Sequence, residues 1–141
     1  MIPLPRTWPG KSQHSRLLWK LFRIFYGTNT AKARAERLLR RWLTRQQRAQ
    51  FDALGFFDVV GSTSKKRYRI HYGYASNIEE IDKDGNPKMG WCFVPEGYLA
   101  PGDVMLAQKI ALETDELGAL SVADRFHWET RRARENRLFI M

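Results

Sequence analysis

Apolar residues change their spacing twice along this chain. Between Ala31 and Leu54 they recur every three or four positions, as a helix with one buried face requires. Between Phe56 and Val94 they fall in short β-branched or aromatic blocks that alternate with charge and are broken by glycine, as strands require. From Val104 the helical spacing returns.

The first helical stretch predicts a helix from near Thr30 to about Leu43. Ala35, Leu38, Leu39, Trp42 and Leu43 cluster on one side, and Arg34, Arg37, Arg40 and Arg41 on the other. Thr44-Arg45-Gln46-Gln47 has the form of a capping box, with hydroxyl and amide side chains each satisfying the other's backbone N–H. A separate short helix is therefore expected from Arg45 to Leu54, closed by Gly55.

Strands are expected at Phe56–Val60, Arg67–Tyr72, Asn77–Ile81 and Met89–Val94. The turns are Gly61–Ser64, Gly73–Ser76 and an Asp84-Gly85 hairpin, and Pro95 ends the run. Asp103 is placed to cap a helix from Val104 to about Ala123, with Gly118 its weak point and Met105, Leu106, Ile110 and Leu112 covering the sheet. The fold class is α+β: a four-stranded antiparallel meander packed by helices, with basic helical extensions at both termini.

Three parts follow. Residues 1–30 hold a lead-in with Pro3, Pro5 and Pro9, then a basic and aromatic helix ending at Tyr26. Residues 31–126 form the compact domain, and residues 127–141 a basic tail.

Charge sharpens this division. The chain has a net charge of +9, yet residues 1–50 hold 12 Lys/Arg against the single acid Glu36, whereas residues 51–124 hold 7 against 12. Cations concentrated in one arm suit a partner with closely spaced negative charge, because each phosphate contact releases a counterion. A 43% hydrophobic composition with 18 aromatics supplies a core, and one cysteine, Cys92, precludes an internal disulfide. No apolar run reaches the roughly 20 residues that span a bilayer, and no convincing leader is present, so the chain is read as unprocessed and cytoplasmic.

Phe56-Phe-Asp-Val-Val-Gly61, Arg67-Tyr-Arg-Ile70, Asn77-Ile78, Cys92-Phe-Val-Pro95 and Asp103-Val-Met-Leu-Ala-Gln-Lys109 resemble, in this order, a small uncharacterised bacterial protein family. The resemblance covers roughly residues 35–126. It implies a compact middle domain and carries no activity, cofactor or catalytic residue with it.

No catalytic or metal-binding pattern emerges. His14, His71, His127 and Cys92 lie too far apart for local zinc spacing. Asp82-Lys-Asp84-Gly85-Asn86 imitates a calcium loop but lacks its bidentate acid, and reads as a hairpin. Cys92 between Trp91 and Phe93 suits an inert buried thiol. Glu79, Glu80, Asp82 and Asp84 read in part as a solvated edge, and Lys109 as a helix-surface charge.

Two sets of residues remain. Arg34, Arg37, Arg40, Arg41, Arg45 and Arg48 form a helical run of guanidiniums suited to bidentate phosphate contacts. Lys65-Lys66-Arg67-Tyr68-Arg69, with Tyr72 and Tyr74, interleaves cations with aromatics, although Tyr68, Ile70 and Tyr72 also fit a core face. The expectation is a non-catalytic, cofactor-free binding module that engages an acidic partner, foremost nucleic acid, through its basic arm. The alternative is a peripheral membrane or assembly factor. In that case Arg16, Trp19, Lys20, Phe22, Arg23 and Phe25 would meet an anionic surface or a protein partner.

Overall fold

Thr30 opens the part of the chain that the structure, a computed structural model, describes, namely residues 30–127. Its hydroxyl accepts the Ala33 amide at 3.1 Å and starts α1, Ala31–Trp42. Thr44 and Gln47 form the expected capping box, with bonds of 3.1 and 3.0 Å, and start α2, Arg45–Leu54. Gly55 closes α2 in the left-handed conformation. Of the expected terminal parts, residues 1–30 and 127–141, all but Thr30 and His127 lie outside the described residues.

Strands β1 (Phe56–Val60), β2 (Arg67–His71), β3 (Ile78–Ile81), β4 (Pro87–Cys92) and β5 (Asp124–Phe126) pair antiparallel in sequence order. The meander has five strands, not four: Asp124–Phe126 returns to the free edge of β4, with Trp91 opposite Arg125. Three residues are too few for a period to show in sequence, so only the partner strand reveals this one.

Between β4 and β5 run α3, Pro101–Thr114, and α4, Glu116–Val122. They replace the single helix expected from Val104 to Ala123. Pro101, whose missing N–H costs nothing in a first turn, begins α3 ahead of Asp103, so Asp103 sits inside the first turn and Ala100 takes the cap position. The break falls at Asp115, not at Gly118, because the Asp115 carboxylate accepts the Gly118 amide at 3.1 Å and restarts the chain as α4.

The core lies between the helices and one face of the sheet. Leu39, Leu43, Phe51, Phe57, Val59, Tyr68, Ile70, Ile78, Met105, Leu106 and Leu112 fill it. Ile110, expected there, is 42% exposed, since α3 turns its 105–106–112 side to the sheet. Lys109, expected at the surface, is buried and reaches Glu113 one turn on, at 2.5 Å. Helix α1 approaches α3 so closely that a Cβ on Gly102 would press on the Ala35 carbonyl and the Glu36 amide. That contact inserts only the narrow Ala35, Leu39, Leu43 stripe, and leaves Leu38 at 42% and Trp42 at 59% exposure.

Both Glu79 and Glu80 are buried, so the solvated part of the acidic cluster is its hairpin end, where Asp84 is exposed. The two glutamates belong to the central strand, where Glu79 meets the His71 imidazole at 2.7 Å, and Glu80 meets Lys66 at 3.1 Å and the Trp91 indole N–H at 3.3 Å. At the sheet edge, Gln50 accepts the Asp58 amide and Gln47 donates to the Asp58 carbonyl, each at 2.9 Å. Helix α2 thus satisfies backbone groups that β1 would otherwise present to another strand.

Candidate nucleic-acid interface

The capping box fixes the turn between α1 and α2, and with it the direction of each arginine that the sequence singled out. Arg34, Arg37 and Arg41, spaced by three and four, lie on one exposed stripe of α1, and Arg45 is exposed at the first position of α2. The other two do something different. Arg40 is half-buried, ion-paired to Asp52, with its guanidinium 5.6 Å from the centre of the Phe51 ring. Arg48 donates to the Arg40 carbonyl at 2.8 and 3.1 Å and to the Leu43 carbonyl at 3.5 Å. Those are acceptors left open at the end of α1, so Arg48 ties the two helices together.

Outward arginines share their stretch of chain with two exposed apolar side chains, Leu38 and Trp42. The exposed indole is the member that helical periodicity assigned to the core. Arg16, Trp19, Lys20, Phe22, Arg23 and Phe25, the membrane or partner set, lie outside the described residues.

The basic strand separates into core and surface. Tyr68 and Ile70 are buried under the helices. Arg69 is held by Asp58 through bonds of 2.9 and 3.3 Å and stacks on Phe56, 4.2 Å from the ring centre. Lys65, Lys66 and Arg67 are exposed, and their loop is firmly held.

Glu116 does the holding. The restart of the chain at Asp115 buries its carboxylate, which accepts the Ser64 amide at 2.8 Å, the Ser64 hydroxyl at 2.7 Å and the Tyr68 hydroxyl at 3.4 Å. The Glu116 amide in turn donates to the Ser62 hydroxyl at 3.0 Å. A Cβ on Gly61 would overlap that carboxylate, so any larger residue there displaces Glu116 from these bonds. Burial, and secondarily the Glu116 charge, pushes the Tyr68 phenol up to about 12.

Two grooves of about 720 Å³ each meet at this loop and share Val60, Lys65 and Arg67. One extends to Thr44, Gln46 and Gln50 of the α1–α2 turn and α2, beside Arg45. The other extends to Lys83, Asp84 and Lys88 of the β3–β4 hairpin. In that hairpin the Asp82 carboxylate accepts the Asn86 and Asp84 amides at 2.8 and 2.9 Å, bonds that hold it below the usual carboxylate range. The second groove was not legible in sequence, because only the strand register brings Lys83 and Lys88 to Lys65.

Cys92 is half-buried, and its sulfur accepts the Ser76 amide at 3.3 Å. Among the described residues no group of three or more His, Cys, Asp or Glu is placed to hold a metal ion, and no helix is long and apolar enough to cross a membrane. No protein-family model, curated protein or solved structure matches the chain. Geometry therefore carries the functional reading.

Proposed function

We propose that the protein is a non-catalytic module that binds nucleic acid through the outward arginines of α1 and α2. The supporting observation is that Arg37, Arg41 and Arg45 are exposed over two consecutive helices fixed by a capping box, and that the indole of Trp42, at the end of α1, is exposed as well. Guanidiniums on a rigid scaffold meet phosphate oxygens in pairs, and an exposed aromatic face can stack on a base. Arg34 belongs to the same stripe.

Arg40 and Arg48 hold the scaffold together instead. The expected mode is backbone recognition, with affinity drawn from charge neutralisation and little discrimination between sequences. The test is binding of a labelled oligonucleotide by the full chain and by an Arg37→Gln/Arg41→Gln/Arg45→Gln variant at one ionic strength. Loss of binding in the variant, with unchanged thermal stability, supports the reading, and equal binding rejects it.

A further inference from the structure

Beyond the arginines, and resting on the reading just given, we propose that the two grooves joined at Lys65 and Arg67 form one track. It holds the backbone of a single-stranded nucleic acid, from the start of α2 to the β3–β4 hairpin.

The first groove begins where the arginines end, since Thr44 and Gln46, the neighbours of Arg45, form part of its wall. Lys65 and Arg67 line both grooves, with Lys65 donating to the Ser62 carbonyl at 3.1 Å and Arg67 lying 3.9 Å from the Asp58 carboxylate. The acids of the first groove, Asp58 and Glu113, are held by Arg69 at 2.9 Å and by Lys109 at 2.5 Å. Lys65 adopts a positive φ of 60°, and its backbone N–H donates a hydrogen bond to the Gly61 carbonyl at 3.2 Å. In the second groove Lys66 is occupied by Glu80, and Asp82 by hairpin amides, while Lys83 and Lys88 are exposed. Asp84 is the remaining acid of that lining.

Charge, shape and rigidity then agree. Each groove, at about 720 Å³, has room for a nucleotide-sized segment of a flexible strand. The junction loop is pinned by Glu116 before any ligand arrives, so little ordering is left for binding to impose. Trp42, close in sequence to the mouth of the first groove, offers an exposed ring on which a base can stack.

Full-length protein would be titrated with fluorescein-labelled oligothymidylates spanning about 4 to 16 nucleotides, the range of such sites, and with a duplex of the longest size. The comparison variant is Lys65→Asn/Lys83→Gln/Lys88→Gln, with asparagine chosen because it tolerates positive φ. The track predicts tighter binding of the single strand than of the duplex, affinity that rises with length, and a salt slope for the single strand lower by about 2 in the lysine variant, from about 0.7 per lost contact.

Duplex binding should be unchanged in that variant. Single-strand affinity and slope equal to the parent's would overturn the track and leave the arginine reading standing, provided the Arg37/Arg41/Arg45 variant loses binding. No binding of any oligonucleotide by the parent would overturn both.

Discussion

The Arg48 guanidinium is hydrogen-bonded to the backbone carbonyl of Arg40, 2.8 Å from one nitrogen and 3.1 Å from another. Two residues that share a charge and a sequence pattern with the outward arginines are thus consumed in joining α1 to α2. Replacing Arg48 with Ala should destabilise the protein by about 1–2 kcal/mol, a charge-assisted bond discounted for its exposure. Arg37→Ala should change stability by less than about 0.5 kcal/mol. Urea melts of the two variants check this, and equal effects would remove the division between scaffold and surface arginines.

Within the core the same contrast separates neighbours on one helix. Met105→Ala or Leu112→Ala should cost about 2–5 kcal/mol, because both side chains are fully buried and leave a cavity. Ile110→Ala should cost less than about 1 kcal/mol, since that side chain is partly in water already. Chemical denaturation distinguishes them.

Much of this architecture is legible in the sequence. The capping box at Thr44, the glycine stop at Gly55 and the Asp84-Gly85 hairpin are local devices whose partners lie within a few residues, so sequence carries them whole. What was not legible depends on distant pairing. Which acids of the Glu79, Glu80, Asp82 and Asp84 cluster face solvent is not decided until the order of strands makes β3 central and supplies His71, Lys66 and Trp91 as partners of the first two. Trp42 looks like core until the close approach of Ala35 to Gly102 narrows the buried stripe of α1. Of the candidate interface, the arginines were visible, but their separation into bound and outward members was not.

Gly61 and Glu116 should behave as a coupled pair. Gly61→Ala forces the carboxylate from its place, and Glu116→Ala strands the Ser64 amide. The double variant should lose less stability than the two single losses summed, by about 0.5–3 kcal/mol, because the clash disappears with the carboxylate. A double-mutant cycle measures it, and strict additivity would contradict the proposed anchor.

Tyr68 gives the protein an alkaline limit. Its phenol titrates near 10 when unfolded and about 12 when folded, so between those values the unfolded state binds fewer protons and stability falls as pH rises. The contribution is complete below pH 10 and is lost as pH rises through about 12, amounting to about 2–3 kcal/mol. Melts of the parent and Tyr68→Phe across this window should show a shallower decline in the variant. Parallel curves would show that the buried phenol does not govern it.

The salt dependence of nucleic-acid binding reports whether the outward arginines meet phosphate. Plotted as log K against log salt concentration, a duplex-binding isotherm series for the parent should fall steeply. The slope for Arg37→Gln/Arg41→Gln/Arg45→Gln should be lower by about 2–3, each lost phosphate contact removing about 0.9. The reduction should be alike for oligonucleotides of different sequence, as backbone contacts require. A triple variant that binds with the parent's slope would contradict the assignment of these arginines to phosphate, and a full-length protein with no affinity for nucleic acid would contradict the function itself.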